Sequence, residues 1–274
     1  MTRLPMILAG FGLMTLTACG GGGEDGGGPV GSYVGLFDTG STEASALSTR
    51  TLDPSSGSTG SASDDLERGT NTITLNGLTG TLNAARDTVT FDGGGTATIV
   101  NGATDYVALF SAEPASGLGD PFIGVVGVAT EPGDLPGGTV TYTSANGARM
   151  TIIDGAGPNL FDLTGAVSVT VTFGSGNVDM TFSNLDGTRN GTGSFNDVAT
   201  FDILGAGLAG NSISGGTASF AGTIGIIDSA LSGNEAVATS AALYGPGADE
   251  IGGVVSVDDQ SSGQLFIFTS FTAD

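Results

Sequence analysis

From Asn71 to its C-terminus this chain is written in short β-branched runs broken by Gly, Asn and Asp, and no segment sustains the 3.6-residue apolar period of a helix. An all-β fold follows. In the clearest piece, Val167, Val169, Val171 and Phe173 alternate with Ser168, Thr170 and Thr172, Gly174-Ser175-Gly176 turns the chain, and Val178, Met180 and Phe182 bring it back. Alternation with a period of two buries one face of each strand, so residues 166–183 read as a hairpin with one apolar side. A second hairpin joins 88–91 to 96–100 around Asp92-Gly93-Gly94-Gly95, and runs at 106–110 and 122–128 continue that region.

Three breakers in Glu131-Pro132-Gly133-Asp134-Leu135-Pro136-Gly137-Gly138 would not be accepted by a central strand, and they place a boundary there. Residues 30–135 are expected to form a smaller β-rich handle domain. Within it, the Ser-, Thr- and Gly-rich stretch 39–65 reads as loop or partial disorder. Residues 136–274 carry strand-like runs near 139–143, 148–153, 165–173, 177–183, 197–204, 216–224, 237–244 and 252–271, the last with an internal break. Eight antiparallel strands close into a barrel with a filled interior or one small cavity. A membrane-spanning barrel would want longer strands and aromatic girdles. The chain has no Trp and ends Phe271-Thr272-Ala273-Asp274, where outer-membrane barrels tend to end on an aromatic residue.

The N-terminus supplies an address. Arg3, an apolar stretch from Leu4 to Leu16 and small residues before Cys19 make a secretory signal segment over 1–18. Its apolar run falls short of the roughly 20 residues needed to span a bilayer. Cys19 is the only cysteine. Its setting, Leu16-Thr17-Ala18-Cys19, resembles the lipobox of bacterial lipoproteins, which implies a diacylglyceryl group on that thiol. Several acyl chains on one residue anchor stably. Gly20, where Asp would resemble an inner-membrane retention signal, points to the outer membrane. Residues 19–29 are a Gly-rich tether, flexible by composition.

Charge removes whole classes of function. The net charge is -22, all six basic residues are Arg, and neither Lys nor His is present. Such a chain cannot assemble a basic surface that follows a phosphate backbone, so nucleic acid is excluded as a partner, and so is attraction to anionic headgroups. Without His there is no His-based triad, His-metal site or imidazole shuttle. Haem iron would need Met or one of the tyrosines, Tyr33, Tyr106, Tyr142 and Tyr244.

The segment Tyr244-Gly245-Pro246-Gly247-Ala248-Asp249-Glu250-Ile251-Gly252-Gly253 combines a strand end, a tight turn, two acids and a Gly-Gly restart. It resembles the C-terminal barrel signature of transferrin-binding-protein-B-like surface lipoproteins. Leu135-Pro136-Gly137-Gly138-Thr139-Val140-Thr141-Tyr142 is similar to the first barrel strand of that family, and Val171-Thr172-Phe173-Gly174-Ser175-Gly176 to a later hairpin. The resemblance covers about half the chain. It implies an eight-stranded barrel preceded by a β handle, displayed at the cell surface to bind a host or environmental protein, haem or a metal ligand. The chain matches one lobe of the paired family pattern and none of its ligand-contacting residues. Tyr244 is read as an aromatic plug at the barrel end.

Three strings mimic other chemistry. Gly205-Ala206-Gly207-Leu208-Ala209-Gly210 spells a dinucleotide fingerprint, yet Asn211-Ser212-Ile213-Ser214-Gly215 starts no helix to receive a pyrophosphate. Phe37-Asp38-Thr39-Gly40-Ser41 resembles an aspartic-protease string without the second carboxylate that chemistry shares a proton with. Asp186-Gly187-Thr188-Arg189-Asn190-Gly191 with Asp197 approximates a calcium loop, although Thr188 and the short Asp197 fit poorly. The expectation is therefore a monomeric, non-enzymatic binding module for iron, haem or other nutrient acquisition, with lipidation at Cys19 and no assigned catalytic residue, metal or cofactor. The alternative is a structural envelope or adhesin-type lipoprotein without a small-molecule ligand.

Overall fold

In the computed structural model the described residues are 35–100, 104–154, 159–191, 193–195, 199–222, 231, 235–259 and 265–274. Cys19, Tyr33, the signal segment and the tether lie outside them.

The first part of the chain is a closed antiparallel barrel of β1 (Ala44–Asp53), β2 (Ser58–Glu67), β3 (Thr72–Leu75), β4 (Leu78–Leu82), β5 (Thr88–Phe91), β6 (Gly95–Val100), β7 (Val107–Pro114) and β8 (Phe122–Gly127), with β8 pairing back onto β1. Leu47, Leu66, Ile73, Val89, Ile99 and Phe110 fill its interior. The stretch 39–65 is thus not loop: it contains β1 and most of β2, paired from Ala44↔Glu67 to Asp53↔Ser58. Its alternation is hidden because several inward positions are polar. Thr49, Thr51 and Asp64 are buried. The Thr49 hydroxyl donates to the Asp64 carboxylate, which also accepts the N–H groups of Asn76 at 2.7 Å and Gly77 at 3.1 Å. Asn76 and Gly77 both have positive φ, 52° and 79°, so Asp64 fastens the β3–β4 turn from inside the barrel.

After a single 3-10 turn at Pro132–Asp134 the chain forms a second sheet. Its strands are β9 (Thr139–Asp154), β10 (Asn159–Thr172), β11 (Asn177–Arg189), β12 (Gly193–Phe195), β13 (Ala199–Ala209), β14 (Ser212–Ser214), β15 (Thr217–Gly222), β16 (Ala236–Tyr244), β17 (Glu250–Asp258) and β18 (Leu265–Ala273). Pairing runs β9-β10-β11-β13-β14-β16-β17-β18 and returns to β9, a ring of eight. The strands differ from the expected ones in several places: β12 and β14 are not among the expected runs, and β15, the run expected at 216–224, pairs β13 outside the ring. The runs at 139–143 and 148–153 are one strand, β9, with a register shift opposite Gly165/Val167. The run 252–271, expected with an internal break, is two strands, β17 and β18.

The second barrel is filled. Val167, Val169, Val171, Val178, Met180 and Phe182 all point inward, as the alternation predicts. Phe182 stacks on Phe201 at 5.6 Å and meets Phe271 edge-on at 5.5 Å. Close-packed rings of this kind are what keeps such a barrel a core rather than a pore.

The outer face of β16–β18 rests on the first barrel. Ala242 and Tyr244 pack with Val107, Leu109 and Val125, while Val254 and Phe268 pack with Leu52. Each large apolar side chain removed from water there contributes about 1.5–3 kcal/mol, so the two barrels are held as one body.

Candidate functional site

The turn between β16 and β17 is where the barrels are locked. Alternation along β16 sends Ala241 and Leu243 into the second barrel and Ala242 and Tyr244 outward. Tyr244 therefore does not plug the barrel end: fully buried, it lies in the seam against Val107 and Val125. Burial pushes its hydroxyl pKa far up. Tyr142, in the second barrel's core, is the residue that reaches the turn, its hydroxyl donating to the Ala248 carbonyl at 2.8 Å. Burial raises the Tyr142 pKa to about 12.

Glu250 closes the lock. Its carboxylate is 4% exposed and accepts the backbone N–H groups of Asp105, of Tyr106 at 2.8 Å and of Val107 at 3.0 Å. Three converging N–H groups favour the charged form, yet burial outweighs them and raises its pKa. Around it, Thr130 donates its N–H to Leu243 O at 3.0 Å and its hydroxyl to Gly245 O at 2.7 Å, and the Gly245 N–H reaches Val128 O at 2.9 Å. Gly245 has φ +78°, and a Cβ there would lie 2.5 Å from the Tyr106 ring. The Tyr-Gly-Pro, acid, Gly-Gly pattern is thus a clamp between two barrels.

Beside the clamp lies a cleft of about 420 Å³ lined by Gly35, Phe37, Asp38, Thr104, Asp105 and Tyr106. Asp38 and Asp105 are exposed, and Phe37 and Tyr106 are half-buried. Burial first, then the charges of Asp249, Asp105 and Glu250, raise the Tyr106 pKa, so its hydroxyl stays a neutral donor. Two carboxylates beside two aromatic rings can hold a cation, through charge and through the ring faces. The floor is firm: Leu36 N–H donates to Asp105 O at 2.6 Å, and Arg68, itself buried, donates to the carbonyls of Gly35 at 3.0 Å and Leu36 at 3.1 Å.

The sequence-derived candidates fall in different places. Asp38 lies at this cleft, where its carboxylate accepts the Gly40 N–H at 2.8 Å in a local turn. The Gly205–Gly210 string runs along β13 into its hairpin with β14. Asp186 to Arg189 sit in β11 rather than in a loop, Asn190 and Gly191 make the turn, and Asp197 lies outside the described residues. Among the described residues no group of three or more His, Cys, Asp or Glu side chains gathers as a metal would require. Glu250, Arg68 and the cleft aromatics were missed as a set, because they come together only through pairing between distant segments.

No protein-family model matches the sequence, and no curated protein is similar to it. Solved structures are similar. The transferrin binding protein B of Haemophilus parasuis Hp5 shares 19% identity over 84% of this chain and 44% of its own, at a TM-score of 0.54. The isotype 1 transferrin binding protein B of serogroup B Neisseria meningitidis gives 17%, 84%, 43% and 0.53. Intact Ap-TbpB, with N and C lobes, gives 18%, 84%, 46% and 0.51. The chain spans less than half the length of these structures, and its fold is that of a transferrin-binding-protein-B-like lobe.

Proposed function

We propose that this chain is a non-enzymatic, lipid-anchored outer-membrane protein displayed at the cell surface, which captures a protein partner in iron, haem or other nutrient acquisition. The observation that carries the reading is the acidic, aromatic cleft at Phe37, Asp38, Asp105 and Tyr106, set on a rigid two-barrel clamp. A chain of net charge -22 offers such a cleft to a basic group, and its field speeds the approach of a basic partner. The similar structures whose names describe transferrin binding support capture of a host protein.

Cys19 would carry the lipid and residues 19–29 the leash. Cys19→Ser should release the protein into the soluble fraction, and protease added to intact cells should degrade the unaltered protein. Capture of candidate host proteins by a soluble form beginning at Pro29 tests the site. Asp38→Asn with Asp105→Asn should weaken capture at least tenfold and flatten its salt dependence. Undiminished capture by that double variant would remove the cleft from the reading. No captured partner, together with no thermal shift from haem or iron chelates, would favour an envelope-coat role.

A further inference from the structure

We propose that the groove between the two barrels is a second binding site, for a small amphipathic carboxylate of medium chain length. This goes beyond the surface-capture reading and uses a different face. The groove has a volume of about 290 Å³ and is walled by Val100, Leu109 and Ile123 of the first barrel and by Phe268 of the second, with Arg149 and Ser270 beside them. At a water's share of ~30 Å³ it has room for roughly ten non-hydrogen atoms, which matches an eight-carbon carboxylate. It sits at the small end of ligand sites, which start near 300 Å³.

Arg149 selects the charge of the occupant. Arg50 donates to Ser212 Oγ at 3.0 Å, Arg68 to Ser45 Oγ at 2.7 Å, Arg189 lies 5.8 Å from the centre of the Phe161 ring, and Arg86 is likewise engaged. Among the described residues Arg149 alone of the arginines has no partner. The nearest carboxylate by register is Asp162: β10 pairs Thr164 with Arg149 and Asp162 with Thr151. Asp162 is taken by the Thr151 hydroxyl at 3.1 Å instead. Ser270 stands directly opposite Arg149 in the β18–β9 ladder, so a hydroxyl and a guanidinium face the same opening. In a protein of net charge -22, an unpaired guanidinium at the mouth of an apolar groove is a local exception that a carboxylate head would complete, with the alkyl tail against Val100, Leu109, Ile123 and Phe268.

Titration calorimetry of the full chain with octanoate tests this. The expected result is saturable one-to-one binding, with octanol and octyl phosphate at least tenfold weaker. Arg149→Gln should weaken octanoate at least tenfold. Ser111→Trp, at an exposed position lining the groove, should abolish binding while leaving the core untouched. Absence of octanoate binding at millimolar concentration would overturn the proposal, as would equal affinity for octanol or unchanged affinity in Arg149→Gln. Tighter binding of octyl phosphate would overturn the choice of a carboxylate.

Discussion

Removing the Glu250 carboxylate should separate the two barrels before either one unfolds. Glu250→Ala takes away the acceptor of three backbone N–H groups at once. Asp105 is exposed and water can replace its bond, whereas Val107 is 1% exposed and Tyr106 is half-buried. Two stranded donors at ~1–3 kcal/mol each, plus the space left by the side chain, put the loss at about 4 kcal/mol. That is a large fraction of the 5–15 kcal/mol typical of a folded chain, and all of it falls on the seam. Glu250→Gln keeps one oxygen and should lose only about 1–2 kcal/mol. In urea the alanine variant should show an early transition, followed by one near the original midpoint. Burial raises the Glu250 pKa above its ordinary 4.5. As pH rises through that region the unfolded chain releases this proton first, so the folded state binds more protons and stability falls. The advantage of the unaltered protein over Glu250→Gln should therefore be largest below pH 4.5 and shrink as pH rises through the raised pKa. A single cooperative transition with less than 1 kcal/mol lost in Glu250→Ala would refute this account of the clamp.

Two further substitutions probe the same architecture. Gly127→Ala would place a Cβ 2.5 Å from both the Tyr106 carbonyl oxygen and the Tyr244 ring, and overpacking of this kind should lower stability by about 1–3 kcal/mol, read by chemical denaturation. Arg68→Ala removes the donors for the carbonyls of Gly35, Leu36 and Glu43; limited proteolysis should then cut near residues 35–43 while the rest stays folded, and Arg68→Lys, with a point charge in place of a planar fork, should recover only part of the protection.

How much of this was legible depends on where each strand's two faces go. The hairpin of β10 and β11 was plain because one face enters the core and the other meets water, the arrangement that writes a clean alternation. β1 and β2 were obscured for the opposite reason: the first barrel buries Thr49 and Asp64, so its inward positions do not look apolar. The eightfold count of the second barrel holds although its membership differs: two expected runs are the single β9, the run 216–224 is β15 outside the ring, β14 takes a place in it, and 252–271 is β17 and β18. The β9 register shift breaks one strand into two apparent runs. Pairing across the closed ring, which no local window contains, decides which runs belong to it.

The same logic explains why Tyr244 was misplaced and why the clamp had to lie where it does. β17 is buried along nearly its whole length, as Glu250, Ile251, Val254, Val255 and Val257 show, and β18 carries Phe266-Ile267-Phe268 without alternation. Such unbroken apolar runs mean that both faces are covered, one by the barrel's own core and the other by a second layer. Read that way, Ala241-Ala242-Leu243-Tyr244 also demands a partner outside the barrel, and Tyr244, opposite in parity to Leu243, must face it. A seam built from three doubly buried strands needs its polar ends satisfied without water. The turn at their edge therefore carries the one residue type that can accept several N–H groups at once, a carboxylate. Glu250 stands at this turn because two barrels meet there, and the acidic cleft beside it shares the backbone of Asp105 and Tyr106 that its carboxylate holds.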